Sequence, residues 1–338
     1  MPIWPLPQHA SATSDVQPLT LLGLLTDWQW DWFAGPMLLI LVGVYLWGVS
    51  VLRRRGDAWS PSRTAFWMLG MAQLAYATLG PLGVYDTVLF SVHMVQHMML
   101  SMTIPVALAQ GAPITLALRS LNGRLRSGLM WLIHSKLARV LLFPPLTTAA
   151  MILMPFVLYT SGLYDLTLRN PVFHDLLHLW MLLMGSAFFM PLVGPDPAPW
   201  KVPYPIRILL FFLTMPFHAF IGTMLMGSKT LVSEAWYLSF NRTWGPSPMA
   251  DQYLAGGILW ATGDFTMLGV MSALFIGWYR QSVREARRVD RQLDREERAL
   301  AGHEQAADDQ VQEHGSPQEA GVSGATMQPL PANTRTEE

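Results

Sequence analysis

The chain has 338 residues, of which 51% are apolar and only 13% are charged. Soluble domains carry about twice that charged fraction, so the composition excludes an ordinary cytosolic protein and indicates a membrane protein. The formal net charge of -1 lacks the basic surplus that nucleic-acid binding requires, so we expect no nucleic-acid partner. The absence of cysteine excludes disulfides, iron–sulfur clusters and thiolate metal sites.

Seven apolar segments are long enough to cross the hydrocarbon core, which needs about 20 residues. They predict an all-α integral membrane bundle with a membrane domain over residues 33–280. Residues 1–32 form an N-terminal segment expected at the outer surface, where Trp28, Trp30 and Trp32 are typical interfacial anchors. The predicted helices are Phe33–Leu52, Thr64–Val84, Thr87–Ala109, Leu137–Thr160, Val172–Val193, Ile206–Gly227 and Gln252–Trp278.

The basic residues predict the orientation of this bundle. In a seven-helix topology, 18 of the 22 Lys and Arg residues fall on one side of the membrane. Basic loops remain in the cytoplasm. We therefore expect the N-terminus outside and the C-terminus in the cytoplasm.

Residues 281–338 are predicted to be a charged cytoplasmic tail. They hold 7 Arg and 12 acidic residues, and their first part is patterned as a charged helix. From Ala301 onward the polar composition offers little apolar area to bury, which predicts disorder.

Five of the nine histidines lie within the predicted membrane helices. His93 and His97, like His174 and His178, are spaced i, i+4, so each pair shares one helix face. In the predicted topology these four and His218 all lie in the outer half of the membrane. Buried polar groups are costly there and mark functional sites, and the neutral imidazole is the commonest metal ligand. The pattern therefore predicts that the five histidines form one metal or haem site.

Methionines predicted at the same depth could add thioether ligands, which select Cu(I). A single methionine is more often flexible core filler. The methionines at this depth are Met94, Met98, Met154, Met181, Met224 and Met226.

Other polar side chains could orient the histidine rings, as partners of metal-bound histidines commonly do. For Asp251 a simple helix cap is the alternative, and Gly185 and Gly256 favour close helix contacts. The accessory candidates are Gln96, Asp175, Met224, Asp251, Gln252 and Asp264.

A series of motifs accompanies the histidines in a fixed order. It comprises His93–His97, Pro105, Gly111–Arg119, His174–His178, Gly185, Pro191–Leu192, Gly194–Pro197, Pro216–His218, Asp251–Gln252, Gly256–Gly257 and Trp260. In type and order this series resembles the CtaG-type cytochrome c oxidase assembly proteins of bacteria. The resemblance covers Ala34–Trp278.

The resemblance implies a multi-pass protein of the bacterial inner membrane that is needed to mature a haem–copper oxidase and helps to supply its copper. The partners it implies are the oxidase catalytic subunit, an extracytoplasmic copper chaperone and the lipid bilayer. We accordingly expect copper as Cu(I), and a chaperone role in place of an enzymatic one.

Two oxidoreductase alternatives remain open. Haem held by two histidines from different helices would make the protein an electron carrier, and a di-metal centre would make it a membrane oxidase or hydroxylase. A di-metal centre favours additional carboxylates, and only Asp175 and Asp264 are expected close to the histidine pairs. A Soret band in the purified protein would indicate haem.

Overall fold

A computed structural model describes residues 17–314 of the chain, with side chains up to residue 303. Every regular element in this range is helical, which confirms the predicted all-α class. The elements are α1 (Gly23–Thr26), α2 (Ala34–Arg54), α3 (Pro61–Thr78), α4 (Pro81–Tyr85), α5 (Phe90–Met98), a π-helical segment (Met99–Thr103), α6 (Ile104–Gln110), α7 (Pro113–Ser120), α8 (Gly123–Ile133), α9 (Lys136–Leu141), α10 (Pro144–Thr160), α11 (Leu163–Arg169), α12 (Pro171–Val193), α13 (Tyr204–Gly227), α14 (Glu234–Ser239) and α15 (Pro248–His314).

Five of the described helical stretches are long and apolar enough to cross a membrane: α2, the run from α5 to α7, α12, α13 and α15. Helices α10 and α11 would add a sixth if they form one span, although they are bent by 72°. The predicted second span, Thr64–Val84, is not among these stretches. It is divided between the shorter α3, which carries polar residues such as Gln73, and α4. The count of seven and the orientation of the termini therefore stay predictions.

Two predicted boundaries differ from the structure. The fourth span begins at Pro144, because the residues from Leu137 to Leu141 belong to the separate short helix α9. Proline lacks an amide hydrogen and is tolerated in the first turn of a helix, so the Pro144–Pro145 pair starts a new one.

The second difference concerns the charged tail. Helix α15 continues to His314, so residues 301–314 are helical where disorder was expected. Their Ala, Glu and Gln content favours a helix through intrinsic propensity, even without apolar burial. The remaining tail, from residue 315, lies outside the described residues. Of the described residues, 17–278 belong to one compact unit and 279–314 to another.

Within the unit that ends at Trp278, which we call the membrane unit, helix α6 packs against both α3 and α12. The π segment precedes it, next to Pro105, which lacks an amide donor for the helix ladder. Helix α12 approaches this segment at Gly185, where an added Cβ would clash with the carbonyl oxygen of Ser101. A similar approach joins α13 and α15, since a Cβ on Gly256 would lie 2.6 Å from the Gly222 carbonyl oxygen. The first approach sets the spacing of the helices that carry the two histidine pairs.

Candidate metal centre

Two imidazoles and one carboxylate form a compact group, which we call the Asp86 group. His174 and His178 lie one turn apart on α12, with ring centroids 4.4 Å apart. A carboxylate oxygen of Asp86, in the turn between α4 and α5, lies 2.9 Å from His174 Nε2 and 3.7 Å from His178 Nε2. Ligands of a tetrahedral ion bound at about 2.0–2.1 Å are roughly 3.3 Å apart. The ligand atoms of the three side chains all lie within 4.8 Å of one another, so together they could hold a single metal ion.

His93 extends this group from α5. Its ring centroid lies 6.1 Å from that of His174 and 6.4 Å from that of His97. Both ring nitrogens of His93 are buried, and neither has a hydrogen-bond partner among the residues that the structure describes. A buried polar group without a partner is destabilising. Coordination of a metal ion would give one of these nitrogens a partner.

Two buried tyrosines that were not predicted, Tyr159 and Tyr164, pack against His93, and Tyr237 adjoins Tyr164. The ring centroid of Tyr164 lies 4.9 Å from that of His93, and its hydroxyl lies 2.6 Å from the hydroxyl of Tyr237. The hydroxyl of Tyr159 lies 3.0 Å from His97 Nδ1. These aromatic side chains bury the histidines and give His97 a hydrogen-bond partner.

His97 and His218 line a second, smaller cavity and are not part of the Asp86 group. The volume of this cavity is about 10 Å³. His218 Nδ1 donates to the carbonyl oxygen of Thr214 at 3.0 Å. The five histidines thus lie in two adjacent groups, and a single metal site that includes all five stays a prediction.

Two of the accessory candidates lie close to these histidines. Asp175 lines a cavity of about 30 Å³ together with Asp86 and His178. Asp264, on α15, interacts electrostatically with His218.

Gln96, Gln252 and Met224 lie elsewhere. The Gln96 amide donates to the carbonyl oxygen of Ala77 on α3 at 2.8 Å. Gln252 accepts from the amide of Val232 at 2.8 Å and so holds the loop after α13. Met224 is half-buried on α13 and lines neither histidine-containing cavity.

Asp251 caps a helix, but that helix is α5 and not its own. Its carboxylate accepts hydrogen bonds from the amide of Phe90 at 2.7 Å and the amide of Ser91 at 3.3 Å, and also from the Ser91 hydroxyl. The first amides of any helix lack partners within it. Asp251 therefore fixes the start of the helix that carries His93 and His97.

Asp86 itself was missed, and the expectation that only Asp175 and Asp264 lie near the histidine pairs is wrong. Asp86 comes seven residues before His93, which is about two helical turns. That spacing, next to an apolar segment, is the signal that could have identified it. In the predicted topology Asp86 lies in the loop between the second and third spans.

The comparisons with known proteins cover the part of the chain that holds these side chains. Residues 43–281, which include Asp86 and all five histidines, match the family described as cytochrome c oxidase caa3 assembly factor. Over 285 residues, 82% of this chain, the chain is 38% identical to uncharacterized proteins of Mycobacterium bovis and Mycobacterium tuberculosis. It is 35% identical to one of Mycobacterium leprae over the same share.

The chain spans 43% of the length of these relatives. No solved structure matches it. Because the family match covers more than half of the chain, this protein belongs to the cytochrome c oxidase caa3 assembly factor family.

Proposed function

We propose that the chain binds copper at the Asp86 group and supplies it to the catalytic subunit of a cytochrome c oxidase during assembly. The observation that carries the proposal is the pair of imidazoles around the buried carboxylate of Asp86, with the unpartnered ring of His93 beside them. Imidazole binds copper as well as zinc and iron. The family's role in oxidase assembly favours copper, because the resemblance implies a haem–copper oxidase.

The surroundings of the group suit a cation that must enter and leave. Three carboxylates, those of Asp31, Asp86 and Asp175, line the adjoining cavity. Clustered negative charge with low-dielectric walls attracts cations. In the predicted orientation this cavity lies toward the outer side, where an extracytoplasmic copper chaperone could deliver the ion.

The number of protein ligands in the Asp86 group also suits transfer of the ion to another protein. Three protein ligands leave a coordination position open, as in sites that exchange ligands. An acceptor histidine or methionine of the oxidase could enter that position before the ion leaves Asp86. Transfer by ligand exchange needs no catalytic step, which agrees with the expectation that the chain is not an enzyme.

A second candidate function follows from the same donor set. Two histidines and one carboxylate with open positions are also typical of iron(II) oxygenases, so a mononuclear iron enzyme is the rival. Haem fits less well, because the two histidine-containing cavities measure about 30 and 10 Å³. Cofactor pockets commonly measure about 300 Å³ or more. Metal analysis of the purified protein separates copper from iron.

The function can be tested in cells that carry His174→Ala with His178→Ala. We expect the variant to reach its normal membrane level while the amount of active, copper-loaded oxidase falls. Added copper should restore part of the activity, because mass action compensates for a weakened site. The matched control is His134→Ala, which removes an exposed histidine.

Two results would count against delivery of copper. One is normal oxidase activity with a normally abundant double variant. The other is loss of the variant itself from the membrane, without any effect of copper, which would give the histidines a structural role.

A further inference from the structure

The cavity shared by His97 and His218 is rich in sulfur. Two methionines of α10 and two of α12 line it, and each pair is spaced i, i+3, so that both side chains share one helix face. The volume of this cavity is about 10 Å³, which is close to what a cavity needs to hold one water molecule. The six side chains with metal-binding atoms are His97, His218, Met151, Met154, Met181 and Met184.

Hydrogen bonds determine which nitrogen of each ring can bind a metal. His218 Nδ1 lies 3.0 Å from the carbonyl oxygen of Thr214, which can only accept, so a neutral His218 carries its proton on Nδ1. His97 Nδ1 lies 3.0 Å from the hydroxyl of Tyr159, and that hydroxyl donates to Met94 Sδ at 3.7 Å. When this hydroxyl donates its one hydrogen to the sulfur, His97 Nδ1 is the donor to Tyr159.

His218 therefore presents the lone pair of Nε2, and His97 does so in the tautomer that donates to Tyr159. Metal-bound histidines almost always donate their other N–H to a carbonyl, a carboxylate or water. Here the carbonyl oxygen of Thr214 accepts from His218 Nδ1, and the hydroxyl of Tyr159 is the partner of His97 Nδ1. The two hydrogen bonds thus prepare His218 and His97 for coordination through Nε2.

We propose that Cu(I) binds in this cavity through ligands drawn from these six side chains, at a site separate from the Asp86 group. Thioethers select Cu(I), whereas carboxylates suit harder ions, and the residues that line this cavity include no carboxylate. His97 and His93 lie one turn apart on α5, with ring centroids 6.4 Å apart, so the site adjoins the Asp86 group. The inference rests on the copper-binding function proposed above, because it adds a second copper site beside the Asp86 group.

Core filling explains these methionines less well than metal binding does. Methionine normally fills irregular gaps, but here four methionines surround a gap that also borders two imidazoles. Met151 and Met181 belong to the main core cluster, as Met71 and Met267 do, but Met71 and Met267 line neither histidine-containing cavity.

The test is an anaerobic Cu(I) titration of the purified full chain in competition with a chromophoric Cu(I) chelator. Met151→Leu with Met181→Leu removes two thioethers and nearly conserves side-chain volume, which cores tolerate well. We expect Cu(I) affinity to fall by at least about tenfold, the lower end of losses seen when a metal site is altered. Zn(II) binding at the Asp86 group should not change.

The matched control is Met71→Leu with Met267→Leu, which should bind Cu(I) as the wild type does. A second measurement needs no variant. X-ray absorption of the Cu(I)-loaded wild type should show sulfur as well as nitrogen around copper, and in a chain without cysteine that sulfur can come only from methionine.

Wild-type Cu(I) affinity in the methionine variant, or nitrogen and oxygen alone around Cu(I), would overturn the inference. If Asp86→Asn abolishes Cu(I) binding while the methionine variant retains it, the inference fails and the proposed copper function stands. If the wild type binds neither Cu(I) nor Cu(II), both fail.

Discussion

Asp86 is the residue that turns two histidines in edge-to-face contact into a candidate metal centre. A buried carboxylate is strongly destabilising unless it is paired or bound to a metal, yet this side chain is only 1% exposed. Its neighbours are imidazoles from another helix, His174 and His178. The chain therefore accepts a buried acid at the position where a cation would bind.

Asp86→Asn should weaken divalent metal binding by at least about tenfold. Asparagine keeps the shape of the side chain and removes the negative charge that attracts the ion. Calorimetric titration of the purified protein with Zn(II) measures the loss. Asp165→Asn is the control, since it removes an exposed acid paired with Arg169, and equal affinity in the two variants would contradict a ligand role for Asp86.

The histidine pairs could be predicted because their spacing obeys a local helical rule, but Asp86 could not. Its place depends on how the turn after α4 lies against α12, which is a tertiary contact. The same limit applies to the sulfur-lined cavity. Met154 and Met181 were predicted at the right depth, whereas Met151 and Met184 join them only through the packing of α10 and α12.

At the scale of helices, the contact between α12 and the π segment holds the two histidine pairs together. The sequence predicted a helix over Thr87–Ala109 and a close contact at Gly185. The π segment itself depends on a change of hydrogen bonding near Pro105, which no periodicity of apolar residues indicates.

Gly185→Ala should destabilise the protein by about 1–3 kcal/mol, as overpacking of a tight contact does. The new methyl group would clash with the Ser101 carbonyl oxygen and push α12 away. Thermal unfolding in detergent would show a lower midpoint, and metal binding should weaken. Gly257→Ala is the control, because open space surrounds that position. Equal midpoints would show that the contact is not tight.

Asp251→Ala should also destabilise the protein, by about 1–3 kcal/mol, because it leaves buried amides at the start of α5 without partners. The same unfolding measurement applies. Asp57→Ala serves as the control, since it removes an exposed carboxylate that lies 4.0 Å from Arg119 Nη2. If both variants unfold alike, Asp251 is not the cap that positions α5.

At the scale of the whole molecule, composition was enough to predict a helical membrane protein, but the number of spans remains to be measured. The sequence predicts seven, and the structure gives five or six stretches that meet the length and polarity of a span. The difference lies mainly in α3, whose polar residues make it marginal and which packs against α6. Whether α3 crosses the membrane decides the orientation of the helices before it.

Alkaline phosphatase fusions along the chain test this topology. A fusion after Ala58 should be inactive, one after Asp86 should be active, and one at the C-terminus should be inactive. The reason is that phosphatase folds only outside the cytoplasm, while basic loops stay inside. An inactive fusion after Asp86 would show that α3 does not cross the membrane, and an active C-terminal fusion would reverse the predicted orientation.

The copper content of the purified full-length protein tests the central claim most directly. The comparison is between wild type, a variant with both histidine pairs replaced by alanine (His93, His97, His174 and His178), and His134→Ala. We expect copper in the wild type and in His134→Ala, and loss of copper from the fourfold variant, because it removes the imidazoles of the Asp86 group and the rings beside it. A wild type that carries iron or no metal, or a fourfold variant that keeps its copper, would contradict the account.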